Sequence, residues 1–304
     1  MKEFHIRKFL KTWMLPISMV GGIVFHNWIH YLVFLTPYLI FIMLTVTYTR
    51  VRMEEMKITR FQWTLLAVQM VGAWAVYAIL FPLSEVAATA AFLCIFMPTA
   101  TAAPVVTGML GGSIPKLATF SLLSNLAVAI TAPTFLSVIN DSGREISFYD
   151  SFTTICAQVV PLLILPLVIA IILRHSYPKL HNAIANHQSI SFWLWAVALF
   201  IVVGRAVSFA YEQPASEIPD MIIMASAALV VCCLQFFFGR KIGRHFGDKI
   251  SGAQGLGQKN TVLGLWMALT YLNPIISIGP AAYIVWQNSI NSYQLYRRAR
   301  LGQV

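Results

Sequence analysis

Met97-Pro98-Thr99-Ala100-Thr101-Ala102-Ala103-Pro104-Val105-Val106-Thr107-Gly108 lies in the middle of one long apolar stretch. Ser251-Gly252-Ala253-Gln254-Gly255-Leu256-Gly257-Gln258-Lys259-Asn260-Thr261 lies in another. In the first, Pro98 and Pro104 each remove a backbone donor and strain the preceding turn. In the second, three glycines lead into a polar Gln-Lys-Asn-Thr run, after which the apolar pattern resumes. Irregular backbone at membrane depth is tolerated only where it faces protein or a water-filled cavity. The two breaks are about 155 residues apart, close to half of the 304-residue chain. Each falls in the fourth of five apolar segments in its half. Five is odd, so the halves take opposite orientations. Paired breaks at this interval predict inverted repeats whose discontinuous helices meet at a midplane binding site. The competing reading is a pair of kinks that serve packing alone.

Hydrophobic residues make up 58% of the chain and charged residues 11%, with mean hydropathy +0.73. A soluble domain is nearer 45–50% apolar and about 25% charged, which excludes a soluble enzyme and a disordered chain. A spanning helix needs about 20 mostly apolar residues. Ten segments qualify, near 10–29, 31–48, 62–81, 85–112, 115–138, 152–173, 190–210, 220–239, 250–273 and 277–296.

With the N-terminus inside, the inner side collects every basic residue except Arg144, Arg205 and Lys259. Its groups are Lys2, Arg7, Lys8 and Lys11; Arg50, Arg52, Lys57 and Arg60; and Lys116, Arg174 and Lys179. Arg240, Lys241, Arg244 and Lys249 follow, then Arg297, Arg298 and Arg300. Glu85, Asp141, Glu145, Asp150, Glu212, Glu217 and Asp220 fall outside. This positive-inside pattern predicts ten spans with both termini cytoplasmic. The net charge of +10 is thus a topology and lipid-headgroup signal, and no nucleic-acid partner is expected. The longest loops, near 139–151 and 174–189, leave almost no soluble domain. No cleavable signal peptide is evident, which suits a multi-pass protein of the cell membrane, of the bacterial inner-membrane kind.

Lys259 is the one basic side chain predicted deep in a span, and no acid in any span pairs with it. An intramembrane lysine is costly and defaults to a functional hypothesis. It can load and release a proton, or stay charged if an anionic substrate or helix C-terminal carbonyls compensate. Snorkelling is disfavoured, since Lys249 is roughly 15 Å away along a helix. Gln69, Ser121, Ser124, Asn125, Gln287 and Asn288 are polar but neutral positions within spans, explicable by interhelical hydrogen bonding. Cys94, Cys156, Cys232 and Cys233 all lie in apolar stretches, giving neither a disulfide framework nor a metal spacing. The histidines make no ligand spacing. Enzyme motifs are missing, so no catalytic residue, metal or cofactor is expected.

At the breaks the chain resembles the bile acid/sodium symporter family. The family's fourth-span pattern Pro-Gly-Gly-Thr-Ala-Ser-Asn-Val-Met-Thr is similar to Pro98–Thr107. Its ninth-span Glu-x-Gly-x-Gln-Asn is similar to Gly255–Asn260, and its tenth-span Trp-His-Asn to Trp286-Gln287-Asn288. The resemblance implies an all-α membrane protein of ten transmembrane helices in two inverted five-helix repeats, 1–148 and 149–304, with broken, crossing helices 4 and 9. It also implies a panel domain from helices 1, 2, 6 and 7 and a core domain from helices 3–5 and 8–10.

The departures bear on chemistry. The family's sodium-binding Ser-Asn pair, Glu and Gln correspond to Ala103, Pro104, Gly255 and Lys259. Gln69 and Ser121 match other sodium ligands but replace no carboxylate. An ammonium and a sodium ion in one low-dielectric pocket repel strongly. The expectation is therefore that Lys259, with Gln258, Gln69 and Ser121 around it, stands where the cation would be. The substrate region implied is Thr101, Pro104, Thr107, Asn260, Thr261, Gln287 and Asn288, next to half-helix N-termini that suit an anion.

The function expected is secondary transport of an organic anion, bile-acid-like or a small carboxylate or sulfonate, by alternating access. Transport is expected to be sodium-independent, with proton coupling through Lys259 as its sharper form. The alternatives are a sodium-coupled symporter with an atypical ion site and a membrane ligand sensor that moves nothing. The partners expected are the substrate anion and the lipid bilayer.

Overall fold

The computed structural model describes residues 13–14, 16–51, 53–139, 148–187 and 189–300. Lys2, Arg7, Lys8, Lys11, Arg52, Asp141, Arg144 and Glu145, which enter the charge pattern, lie outside the described residues. The described chain is all-α. Its helices are α1 (16–24), α2 (Thr36–Tyr48), α3 (Arg60–Leu80), α4 (Glu85–Phe96), α5 (Ala103–Leu110), α6 (Ile114–Ile139) and α7 (Phe148–Ser176). They continue with α8 (Pro178–Asn186), α9 (Ser189–Tyr211), α10 (Ile218–His245), α11 (Lys249–Gly257), α12 (Thr261–Tyr271) and α13 (Ile278–Arg300).

Among the described residues, four stretches, Arg60–Leu80, Ile114–Ala132, Ile190–Tyr211 and Ala215–His245, are long and apolar enough to cross a membrane. Their outer faces carry exposed apolar side chains such as Val71, Ile79, Ile222 and Phe237. This is the surface of a helical membrane protein, since lipid solvates apolar groups that water would drive inward.

Local chemistry sets the helix ends. Thr59 and Gln62 form a reciprocal capping box at the start of α3. Ser84 caps α4, Asp248 caps α11 and Asn260 caps α12 through side-chain oxygens. Gly111, at φ 79°, ends α5 in the left-handed conformation that glycine adopts without a Cβ penalty.

Three features differ from the apolar pattern. The segment predicted near 10–29 is α-helical only to residue 24 and tightens into a 3₁₀ turn at His26–Tyr31. The segment predicted to start at 31 becomes α-helix only at Thr36. The stretch read as the loop 174–189 contains α8, whose His181 ring Nε2 lies 3.0 Å from Thr49 O. The Arg174 guanidinium donates to Thr49 O and Val51 O beside it. Together they cap carbonyls at the end of α2, a role hydropathy does not register.

α10 and α11 form a tight hairpin. A Cβ on Gly252 would lie 2.2 Å from Gly239 O, and one on Gly239 would lie 2.3 Å from Gly252 O. Only glycine permits that approach. One end of the bundle is stitched across elements. Gln62 donates to Lys116 O, Ser113 N–H donates to Asp248, and the Arg298 guanidinium donates to Met109 O. That end gathers Arg60, Lys116, Lys249 and Arg298.

Candidate functional site: a crossing of two unwound segments

The fourth and ninth apolar segments are both broken. α4 and α5 have 12 and 8 residues, and α11 and α12 have 9 and 11. Each is too short to span a bilayer alone. The linkers between them meet as an isolated antiparallel bridge of Thr99 with Lys259. Ala100 N–H donates to Gln258 O at 2.9 Å, and Asn260 N–H donates to Pro98 O at 2.8 Å. The unwound backbones thus satisfy each other, as a buried chain without helix must.

The outward groups of the bridge are met by side chains of flanking helices. On one side, Thr99 N–H donates to Ser124 Oγ at 3.2 Å and Thr99 O accepts from Asn125 Nδ2 at 3.1 Å, both from α6. On the other, Lys259 N–H donates to Gln287 Oε1 at 2.7 Å and Lys259 O accepts from Gln287 Nε2 at 3.3 Å, both from α13. The bridge side chains then reach back to the opposite half-helix. Thr99 Oγ1 donates to Gly255 O at 2.8 Å, and Lys259 Nζ donates to Ile95 O at 2.7 Å. Thr99 to Lys259 and Ile95 to Gly255 are the same interval in sequence.

Lys259 is 1% exposed. Its Nζ sits on the last turn of α4, where carbonyls left without intrahelical partners carry the negative end of the helix dipole. The neighbouring carbonyls of that turn are also capped. Gln235 Nε2 donates to Cys94 O, and Gln69 Nε2 donates to both Phe96 O and Met97 O at 3.0 Å. Gln69 Oε1 accepts from Ser124 Oγ, so every polar atom of that side chain is engaged. Tyr283 OH caps Gly257 O at the end of α11.

A cleft of about 80 Å³ borders the crossing. One wall is Ala100, Thr101, Ala102 and Gln258–Val262, with Gln287 and Asn288 from α13. The other wall comes from α2 (Thr36, Ile40, Met43) and α9 (Trp195, Ala198, Leu199, Val202). Thr101, Ala102 and Val262 present backbone N–H groups with no hydrogen-bond partner among the described residues. Thr101 and Ala102 lie just before and at the N-cap of α5, and Val262 lies in the first turn of α12, helix starts where orphan donors and the positive dipole end favour an anion.

Of the residues singled out from sequence, Thr101, Gln258, Lys259, Asn260, Thr261, Gln287 and Asn288 line this one cleft. Gln69 and Ser121 lie behind the crossing: Gln69 caps α4, and Ser121 O accepts from Asn125 Nδ2. Pro104 and Thr107 are buried in α5 and do not line the cleft. Sequence reasoning missed Gln235 and Tyr283 as caps; the α2 and α9 wall belongs to the helices that the family resemblance set apart as the panel. Gln235 had a signal, a lone amide in an apolar span like Gln69. Tyr283 had none.

Among the described residues no cluster of three or more His, Cys, Asp or Glu side chains is placed to hold a metal. Cys94, Cys232 and Cys233 are free thiols. No protein-family profile matches the chain, and no curated protein matches it.

Proposed function

We propose that this protein is a secondary transporter of small organic anions, working by alternating access without sodium. The observation that carries the reading is the crossing itself, with the Lys259 ammonium held on the Ile95 carbonyl. A symporter of this architecture would place a cation near such negative half-helix ends. Here a tethered ammonium already lies there. Gln69, which the family resemblance offers as a cation ligand, is engaged by Phe96 O, Met97 O and Ser124. That favours the sodium-independent reading over the atypical sodium symporter.

The proposed architecture is ten spans in two inverted repeats, 1–148 and 149–304. The helix pairings support it. α3 packs on α4 as α10 packs on α11, α5 packs on α6 as α12 packs on α13, and α4 contacts α13 as α11 contacts α6. In this reading α1, α2, α7 and α9 form the panel, and α3–α6 with α10–α13 form the core. Both termini are then cytoplasmic and the protein resides in the cell membrane.

The substrate anion lies in the cleft between them. Its charge meets the free N–H groups of Thr101, Ala102 and Val262 and the field of Lys259, while Asn260, Thr261 and Asn288 supply hydrogen bonds. Sites for drug-sized ligands run to about 300–1,000 Å³, so a cleft of about 80 Å³ favours a small carboxylate or sulfonate over a bile-acid-sized body.

The test is uptake of a radiolabelled anion panel into proteoliposomes under an inward sodium gradient, an inward proton gradient, or neither. The reading expects flux that ignores sodium. Flux that requires sodium overturns it. In the proton-coupled form, Lys259→Met removes the response to a pH gradient. A pH-driven flux unchanged in that variant refutes the coupling role.

A further inference from the structure

Along α11 and its two capping residues, Asp248, Ser251, Gln254 and Gln258 recur at intervals of three or four residues, which puts them along one side of the helix. Ser251 and Asp248 are tied to Ser113 at the end of the bundle that gathers Lys116, Lys249 and Arg298. One turn further in, Gln254 Nε2 donates to Asn291 Oδ1 on α13 at 2.9 Å. One turn beyond that, Gln258 lines the cleft. The face is thus polar from the basic end to the crossing.

It also carries unmet hydrogen-bonding capacity. Gln254 Oε1, Gln258 Oε1, Asn291 Nδ2 and, on adjacent α5, Thr107 Oγ1 are buried without a hydrogen-bond partner among the described residues. Gln254, Asn291 and Thr107 are fully buried. Turning both amides of the Gln254–Asn291 pair over together still leaves one donor and one acceptor unpaired. A cation satisfies only acceptors. A water molecule satisfies both, and buried polar groups left without protein partners are where ordered water binds.

We propose that α5, α11 and α13 enclose a hydrated seam that connects the cleft to the basic end of the bundle, away from the α2–α9 wall. The seam passes water and not the organic substrate, because α11 and α13 are held together across it by a direct side-chain hydrogen bond. The cleft then has a solvent route separate from its α2–α9 side. That this route is distinct from a substrate route rests on the transport reading; the seam itself does not.

The experiment is silver-ion accessibility. Single cysteines replace Ser251, Gln254 and Asn291, and, as controls on the other faces of α11, Ala253 and Leu256. Leu256 packs among Phe61, Leu65 and Phe120, and Ala253 lies against Gly239. All are made in a background without the four native cysteines. Thiol reactivity follows access, so S251C, Q254C and N291C are expected to react with Ag⁺ about tenfold or more faster than A253C and L256C. Equal protection of both sets overturns the seam. Should the cysteine variants not fold, the intact protein is imaged by electron cryomicroscopy at a resolution that shows water. Density bridging Asn291 Nδ2 and Gln254 Oε1 supports the seam, and a dry contact there refutes it.

Discussion

Lys259→Met keeps an unbranched apolar stem out to Cε, with sulfur in place of the Cδ methylene, and removes the terminal amine. The lost contact is the 2.7 Å bond from Nζ to Ile95 O. A hydrogen bond involving a charged group contributes about 1.5–3 kcal/mol, and its removal leaves a buried carbonyl at the end of α4 unpaired. Opposing this is the effective penalty for burying an ammonium, also several kcal/mol after relaxation. The two terms are of similar size, so Lys259→Met is expected to shift stability by less than about 2 kcal/mol in either direction.

Lys259→Ala removes the same charge and about three further methylene groups, each contributing about 0.8 kcal/mol when buried. It should therefore fall about 2–3 kcal/mol below Lys259→Met. Lys259→Glu sets a carboxylate against the negative end of α4 and should be the least stable of the three. The assay is thermal unfolding of the detergent-purified variants, followed by the monodisperse fraction on size-exclusion chromatography. The expected order is wild type close to Met, then Ala, then Glu. If Met falls as far as Ala, the ammonium is a net stabiliser with an anionic partner other than Ile95 O. If Glu matches wild type, position 259 does not face the carbonyl end of α4. Either result refutes the reasoning.

Gly252→Ala places a Cβ 2.2 Å from Gly239 O; overpacking against backbone should cost about 1–3 kcal/mol or more, seen as lost expression and a lower melting temperature. Gln69→Leu frees Phe96 O, Met97 O and Ser124 Oγ together and should destabilise by roughly 1–3 kcal/mol, with no change in sodium response; a lost sodium response in that variant would point back to a cation site. Asn260→Ala removes the cap on Leu263 N–H, worth about 1 kcal/mol, and should weaken anion affinity in a binding assay by more than its effect on melting accounts for. Gln287→Leu unpairs Lys259 N–H and takes one of two donors from Lys259 O, which still accepts from Thr261 N–H, and should slow uptake.

Hydropathy and charge alone located the apolar segments, the two breaks and the singular lysine, because the cost of putting a residue in lipid depends mainly on that residue and its near neighbours. The prolines at 98 and 104 and the glycines at 252, 255 and 257 mark local backbone preferences, so the ends of α4 and α11 were legible. The sequence allowed helix C-terminal carbonyls as partners for Lys259 without specifying which. Tertiary structure alone decided that Ile95 O accepts from Lys259, that Gln69 caps α4, that Tyr283 caps α11, and that Trp195 and Thr36 face Asn260 across a cleft. It also removed Pro104 and Thr107 from that cleft. The reason is physical. A partner's identity rests on which carbonyls remain unpaired when two distant helices stop, and those groups belong to the backbone, which every residue shares and no side-chain pattern records.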